Sequence, residues 1–292
     1  MDINFSIIIP HHNIPKLLER CLRSIPIKDD VEVIVVDDNS NPQLVDFNNF
    51  PGKERKDTTC IFDKNGGGAG HARNIGMEHA NGKWLIFADA DDFFVEGFYD
   101  IINQYKDDEA QVILFKANSL DSDTLQKSDR HVQMNQAIDK AICGDITDKE
   151  ASLVMTTPWC RMIKRDFVQE KQIKYEEVMV ANDVMFSVKA TCLADKLKVS
   201  DSVLYVVTTR KGSLVGNWGK PDYFLCKLKV IIRRNKFLKD YHYNQRPYTR
   251  PVIAAVIRAW KISPRTFCEA LMIAIKEKAL FSGFFSIFKK AF

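Results

Sequence analysis

No Cys-x-x-Cys pair occurs in the 292 residues, which argues against a structural zinc site. The seven cysteines, Cys21, Cys60, Cys143, Cys160, Cys192, Cys226 and Cys268, are scattered and odd in number, and reduced thiols in a cytoplasmic protein are the simplest reading. Runs of 18 or more apolar residues are absent, so nothing clearly spans a bilayer. The start, Met1-Asp2-Ile3-Asn4-Phe5, lacks the basic region and cleavage site of a signal peptide. No Gly-Lys-Ser/Thr follows the one glycine-rich stretch, which excludes a P-loop. A Gly-x-Gly-x-x-Gly register fails there at His71, and the first strand runs into Pro10 rather than glycine, which sets a dinucleotide-dependent oxidoreductase aside. Acid is scarce near the end. From Arg210 onward 18 Lys+Arg face four Asp+Glu, which leaves 24 against 34 in the part before it. An acidic body with a basic tail predicts an anionic partner for the tail: lipid, nucleic acid or another protein.

What is present centres on Trp84-Leu85-Ile86-Phe87-Ala88-Asp89-Ala90-Asp91-Asp92. The apolar run reads as a strand buried on both faces, and three carboxylates sit where it leaves the sheet. Open α/β sheets bind ligands at the carboxyl ends of their strands. Crowded carboxylates repel, and a hard cation such as Mg²⁺ or Mn²⁺ relieves them. The alternative is a solvated acidic turn capping the next helix.

Along the chain, Phe5–Ile9 reads as a first strand ended by Pro10, with His11-His12-Asn13 as the loop beyond it. Pro15–Ile25 follows as a helix and Val31–Val36 as a second, β-branched strand running into Asp37-Asp38-Asn39-Ser40. This is a βαβ unit with a parallel sheet. A short strand over Thr58–Phe62 precedes Asn65-Gly66-Gly67-Gly68-Ala69-Gly70, a glycine loop entering a helix from about Gly70 to Ala80; its N–H groups favour anions. Further on, a helix is expected over Val95–Tyr105, a strand over Gln111–Lys116 and a polar loop or hairpin over Leu120–Arg130. A short helix over Phe167–Lys171 precedes one from Asn182 to about Ala194, with Asn182 or Asp183 as its cap, and a strand over Lys198–Val207. From Pro221 the pattern is helical and basic, with Arg233, Arg234 and Lys236 in one helix and Val252–Trp260 in another. Leu280, Phe281, Phe284, Phe285, Phe288 and Phe292 would share one helical face, with Lys289 and Lys290 off it. Such a helix suits a membrane interface, and packing on the domain or across a homodimer is the alternative.

Four stretches in this order and spacing, Phe5–Pro10, Val35–Ser40, Gly70–Gly76 and Phe87–Asp92, resemble the family 2 inverting glycosyltransferases with the GT-A fold. The resemblance covers roughly the first hundred residues and fades by Ser213. It implies an α/β fold, a Rossmann-like mixed sheet flanked by helices, over 1–215. Residues 1–92 would be the nucleotide-binding half and 93–215 the acceptor half, with 216–292 a basic helical extension. It implies a nucleotide-sugar donor, UDP favoured, and transfer with inversion to a glycan or lipid-linked glycan in surface polysaccharide, capsule or lipopolysaccharide synthesis. Such an enzyme would lie peripherally on the inner face of the cytoplasmic membrane, with no nucleic-acid partner. A non-catalytic member that binds nucleotide-sugar or glycan is the alternative.

Carried over by position, Pro10, His12, Asn13 and Asp38 fall at the nucleoside, and Gly68 and Arg73 near the pyrophosphate. Asp89, Ala90 and Asp91 match the Asp-x-Asp element, with Asp92 as a third metal carboxylate for Mn²⁺ or Mg²⁺. Trp159 matches an aromatic on the acceptor side, a plain core residue being the alternative. Arg210 and Ser213 match an Arg-x-Gly-Ser element near the donor phosphates, the alternative for Arg210 being a solvated cation. The family's base sits in a Glu-Asp pair opening a helix. Here that pair is Asn182-Asp183, which makes Asp183 the candidate base. His11 receives no role.

Overall fold

A computed structural model describes residues 2–209, 219–243 and 248–283. Its centre is an eight-stranded mixed sheet of order β3-β2-β1-β4-β7-β6-β8-β5. The strands are β1 (Phe5–His11), β2 (Val31–Asp38), β3 (Thr58–Asp63), β4 (Trp84–Phe87), β5 (Phe93–Phe94), β6 (Val112–Asp121), β7 (Arg161–Lys164) and β8 (Leu197–Thr209). β1 to β4 pair in parallel, as their continuous apolar runs require: every residue of β1 and of β4 is buried, so both faces are covered. α1 (Pro15–Arg23) and α2 (Gly68–His79) make the crossovers. The chain builds from β1 outward to β2 and β3, then returns to set β4 on β1's other side. The crevice between the carboxyl ends of β1 and β4 is therefore the topological switch point.

Pro10 does not end the first strand. It pairs with Val36, and His11 with Asp37. The Ala88 N–H donates to the Ile8 carbonyl, so Ile8 faces β4, and Pro10, two residues on, faces the same side beyond the end of β4. Its missing N–H costs no ladder bond there.

The second half is mixed. β7 runs antiparallel between β4 and β6, β6 and β8 are parallel, and β5 closes the edge antiparallel to β8. The helix expected from Val95 begins later, as α3 (Phe98–Asn103), because Phe93–Phe94 pair with β8 and Gly97 takes a left-handed φ of 75°. β6 runs on to Asp121, and Leu120 bridges Lys127, so the expected polar loop is partly strand and hairpin. Two helices missed by periodicity, α4 (Val132–Ile142) and α5 (Asp148–Val154), fill the gap before β7. α5 carried a signal: Thr147 and Glu150 form a reciprocal capping box. α6 (Arg165–Glu170) and α7 (Asp183–Leu193) complete the flanking layer.

α8 (Pro221–Asp240), α9 (Val252–Ala259) and α10 (Pro264–Lys276) follow. They share an apolar cluster built on Leu228, Ile232, Val256, Ala270 and Ala274, while Leu238 and Tyr248 pack with Leu153 and Val188 of α5 and α7. Part of the basic charge has partners within the fold. Arg233 holds Glu176 with two hydrogen bonds, Lys236 meets Glu277 at 2.7 Å, and buried Arg234 donates to the Leu153 carbonyl. Leu280 and Phe281 lie in a turn after α10, not in a helix. Phe284, Phe285, Phe288, Lys289, Lys290 and Phe292 lie outside the described residues.

Candidate active site

The loops leaving β1 and β2 lock to each other. His11, the residue given no role, is buried and places Nδ1 2.7 Å from an Asp37 carboxylate oxygen. Burial pushes the Asp37 carboxyl up, but hydrogen bonds from His11 and Ser40 outweigh it and hold Asp37 below the usual carboxylate range. Asn13 takes a left-handed φ of 60°; its N–H donates to Ser40 Oγ and its Oδ1 accepts from the Asn41 N–H. His12 is exposed, with Nδ1 2.8 Å from the Asp38 carbonyl. Both Asp38 carboxylate oxygens lie 3.0 Å from the Gly68 nitrogen, the first residue of α2, where φ is 84° and glycine is at home. Pro10 is buried beneath this rim. Thus Pro10, His12, Asn13, Asp38 and Gly68 are gathered at one sheet end.

The neighbouring loop holds the carboxylates. One oxygen from each of Asp89, Asp91 and Asp92 lies within 4.8 Å of the others. The backbone is fixed from three directions. The Asp89 N–H donates to Tyr205 Oη at 2.8 Å; Arg20 and the Thr208 hydroxyl both donate to the Asp91 carbonyl; the Thr208 N–H donates to Asp92 Oδ1 at 2.6 Å. Ala90 is buried between them. Burial, then the charges of Asp89 and Asp91, push the Asp92 carboxyl well above its ordinary range. Three carboxylates with two half-exposed members are the donor set a hard cation takes. Trp159 is 3 % exposed and stacks on Tyr205 with ring centroids 5.8 Å apart, so it belongs to the core beneath Asp89.

Arg73 joins this cluster to the candidate base. It is buried on α2, one Nη donating to Asp89 at 2.5 Å, the other to Asn182 Oδ1 at 3.0 Å. Its Nε is buried without a hydrogen-bond partner in the protein. Two of the five guanidinium N–H donors are thus bonded across to Asp89 and Asn182. Asn182 makes no side-chain cap on α7, since its amide oxygen is turned to Arg73. The same face of α2 docks the segment before α7: Asn74 exchanges two hydrogen bonds with the Tyr175 backbone, and Gly70 lies against the Glu176 carbonyl. Tyr175 then stacks on Phe186 of α7 at 3.9 Å. Asp183 opens α7. Burial pushes its carboxyl up to about 6, against the pull of Arg73 and, more weakly, Lys227; Asp89 adds to the rise. A carboxylate poised there can accept a proton near neutral pH. Arg210 and Ser213 lie outside the described residues.

A parallel half with an acidic loop at its switch point, joined to a mixed second half, is the architecture of the GT-A fold. The chain belongs to glycosyl transferase family 2, whose profile matches residues 6–170. It is 25 % identical over 253 residues to the poly(ribitol-phosphate) beta-N-acetylglucosaminyltransferase TarS of Staphylococcus aureus, covering 83 % of this chain and 43 % of TarS. The chain thus spans less than half of that relative's length. Among solved structures, TarS 1–349 in complex with UDP-GlcNAc superposes with a TM-score of 0.66 at 19 % identity, over 96 % of this chain and 84 % of that one. A mannosyltransferase from Pyrobaculum calidifontis in complex with GDP-Man and Mn²⁺ gives 0.57 at 16 % identity, over 94 % and 76 %. At these identities the structural likeness is one of fold. Among the described residues, no helix is long and apolar enough to cross a membrane.

Proposed function

We propose that the chain transfers a sugar, with inversion, from a nucleotide-sugar to a hydroxyl of a glycan or lipid-linked glycan, UDP being the donor nucleotide. The observation that supports this is the Asp89–Arg73–Asn182 chain of hydrogen bonds, which ties the acidic loop to the residue before Asp183. Inversion needs one base on the face of the sugar away from the leaving group. Asp183 fits that part. The acceptor hydroxyl gives its proton to the Asp183 carboxylate as its oxygen bonds to the anomeric carbon, and the bond from that carbon to the diphosphate oxygen breaks. Asp89, Asp91 and Asp92 would hold Mn²⁺ or Mg²⁺, which when bound supplies positive charge to the departing diphosphate. His12, Asn13 and Asp38 line the nucleoside side, and Gly68 opens the α2 N-terminus toward an anion. TarS, whose name gives it an N-acetylglucosaminyl transfer and whose structure holds UDP-GlcNAc, supports the donor class.

The acceptor belongs at a surface. Ile257, Trp260, Met272 and Ile275 of the α9–α10 hairpin and its turn stand more than half exposed beside Arg258, Lys261 and Lys276. That combination suits an anionic lipid face carrying a lipid-linked acceptor. The test is single-turnover transfer by wild type and Asp183→Asn. Loss of transfer with donor binding retained is the expected result; an unchanged rate would remove Asp183 from its role.

A further inference from the structure

His71 stands in the first turn of α2, and the transfer chemistry leaves it unused. Its ring rests on the glycine loop: a Cβ placed on Gly67 would lie 2.5 Å from the His71 Cγ. Nε2 stands 3.3 Å from Asp63 Oδ2, at the end of β3. Nδ1 stands 3.1 Å from Glu177 Oε1, in the segment that leads to Asp183. Both ring nitrogens and the facing Asp63 oxygen are shut off from solvent. The contacts are those of paired charges rather than aligned hydrogen bonds. An imidazole with a carboxylate at each nitrogen satisfies both only as the cation, because the neutral ring turns a lone pair toward one of them.

The charged groups that act on the ring come from three elements. They are Glu177 before α7, Asp63 of β3, and Asp38 of β2, whose carboxylate is bonded to the Gly68 nitrogen. Glu177 first of all raises the imidazole above its ordinary range; burial works against it, and the charges of Asp63 and Asp38 add to the rise. In return, His71 and then Asn74 hold the Glu177 carboxyl below the usual carboxylate range. Lys174 acts on Glu177 too, but it is exposed and lies 3.8 Å from Glu78.

Glu177 belongs to the stretch on which the candidate base depends. Asn74 Nδ2 donates to the Tyr175 carbonyl and, at 3.2 Å, to Glu177 Oε1. Arg233 of α8 holds both carboxylate oxygens of Glu176. The Glu176 N–H donates to the carbonyl of Asn182, the residue before Asp183, at 3.3 Å. Of these ties, the amide and the guanidinium keep their form near neutral pH, whereas the one from His71 can lose its charge there.

We propose that His71 is a positioning residue: as the imidazolium it clamps Glu177 to the end of β3 and keeps the segment that carries Asp183 in place, and its deprotonation releases that segment. This rests on the glycosyl-transfer reading and adds an alkaline limit to it. The folded state holds the His71 proton more tightly than the unfolded chain, so the clamp is complete at low pH and is lost as pH rises through the imidazole's own midpoint.

The test joins an NMR titration of the imidazole Hε1 signals of the full chain with rate profiles for hydrolysis of UDP-GlcNAc in the presence of Mn²⁺. The signal missing from His71→Gln identifies the ring. It should titrate above the ordinary imidazole value of about 6.5, and its midpoint should move down in Asp63→Asn and in Glu177→Gln. The rate should fall on the alkaline side with that same midpoint, and this limb should move to lower pH in Asp63→Asn. His71→Gln should lose about tenfold in kcat with the donor KM little changed, and its profile should lack that limb. A His71 midpoint at or below the ordinary value, or one indifferent to both carboxylate substitutions, overturns the proposal. So does an alkaline limb that stays in place in Asp63→Asn. A His71→Gln loss confined to the donor KM also overturns it and gives the ring to the donor loop. A wild-type chain without turnover would count against the glycosyl-transfer reading; the NMR comparison needs no turnover and would still decide the clamp.

Discussion

A Cβ placed on Gly70 would lie 2.3 Å from the Glu176 carbonyl oxygen. Helix α2 packs directly on the backbone of the segment leading to Asp183, so α2 sets the position of the candidate base. Gly70→Ala would push a backbone oxygen, not a flexible side-chain end. We expect a loss of about 1–3 kcal/mol in unfolding experiments, the range for forced overpacking. Turnover should fall further than stability accounts for, because the displaced segment carries the base.

Arg73→Lys tests the bridge itself. A lysine keeps the charge but cannot donate in two fixed directions to Asp89 and Asn182. Turnover should drop by about tenfold or more while nucleotide affinity changes little, since a base misplaced by an ångström can cost on the order of 100-fold. A rise in KM for the donor with kcat unchanged would instead assign Arg73 to the donor phosphates.

As the proposed base, Asp183 should set the acid limb of activity. Its carboxyl is raised to about 6 by burial, so the fraction able to accept a proton falls as pH drops through that value. A rate profile should lose activity below about pH 6. The same shift has a stability consequence of opposite sense to the usual salt-bridged carboxylate. The folded state holds its proton more tightly than the unfolded chain, so ionisation of Asp183 destabilises the fold progressively between the ordinary carboxylate range and about pH 6. Asp183→Asn should therefore be more stable than wild type at pH 7, by on the order of 1–3 kcal/mol, and the difference should vanish near pH 4. Equal stability at both pH values would show that the group is not buried as described.

Much of this site was legible in the sequence, because its parts sit at strand ends that apolar runs announce. Trp84–Phe87 reads as a two-sided strand, and the carboxylates follow it directly. The β1 and β2 loops were located in the same way. Three kinds of feature were not legible. Pairings distant in sequence were one: His11 and Asp37 are 26 positions apart, Arg73 and Asn182 109, and nothing local to either residue marks its partner. Elements whose signal is capping rather than period were another. α5 is seven residues long, too short for an apolar period, and only Thr147 and Glu150 mark its start. Partners of the basic residues were a third. Charge counting treats Arg233, Arg234 and Lys236 as free surface, whereas each has a partner within the fold.

The most direct test of the central claim is titration of UDP into the chain with and without Mn²⁺, repeated for Asp91→Ala. The acidic loop is the proposed seat of a cation that joins protein to diphosphate. Binding should need Mn²⁺ in the wild type and be lost in the variant, with a matching rise in melting temperature only for the former. UDP binding that ignores both the metal and the substitution, or no nucleotide binding at all, would contradict the assignment of Asp89, Asp91 and Asp92 to the donor site.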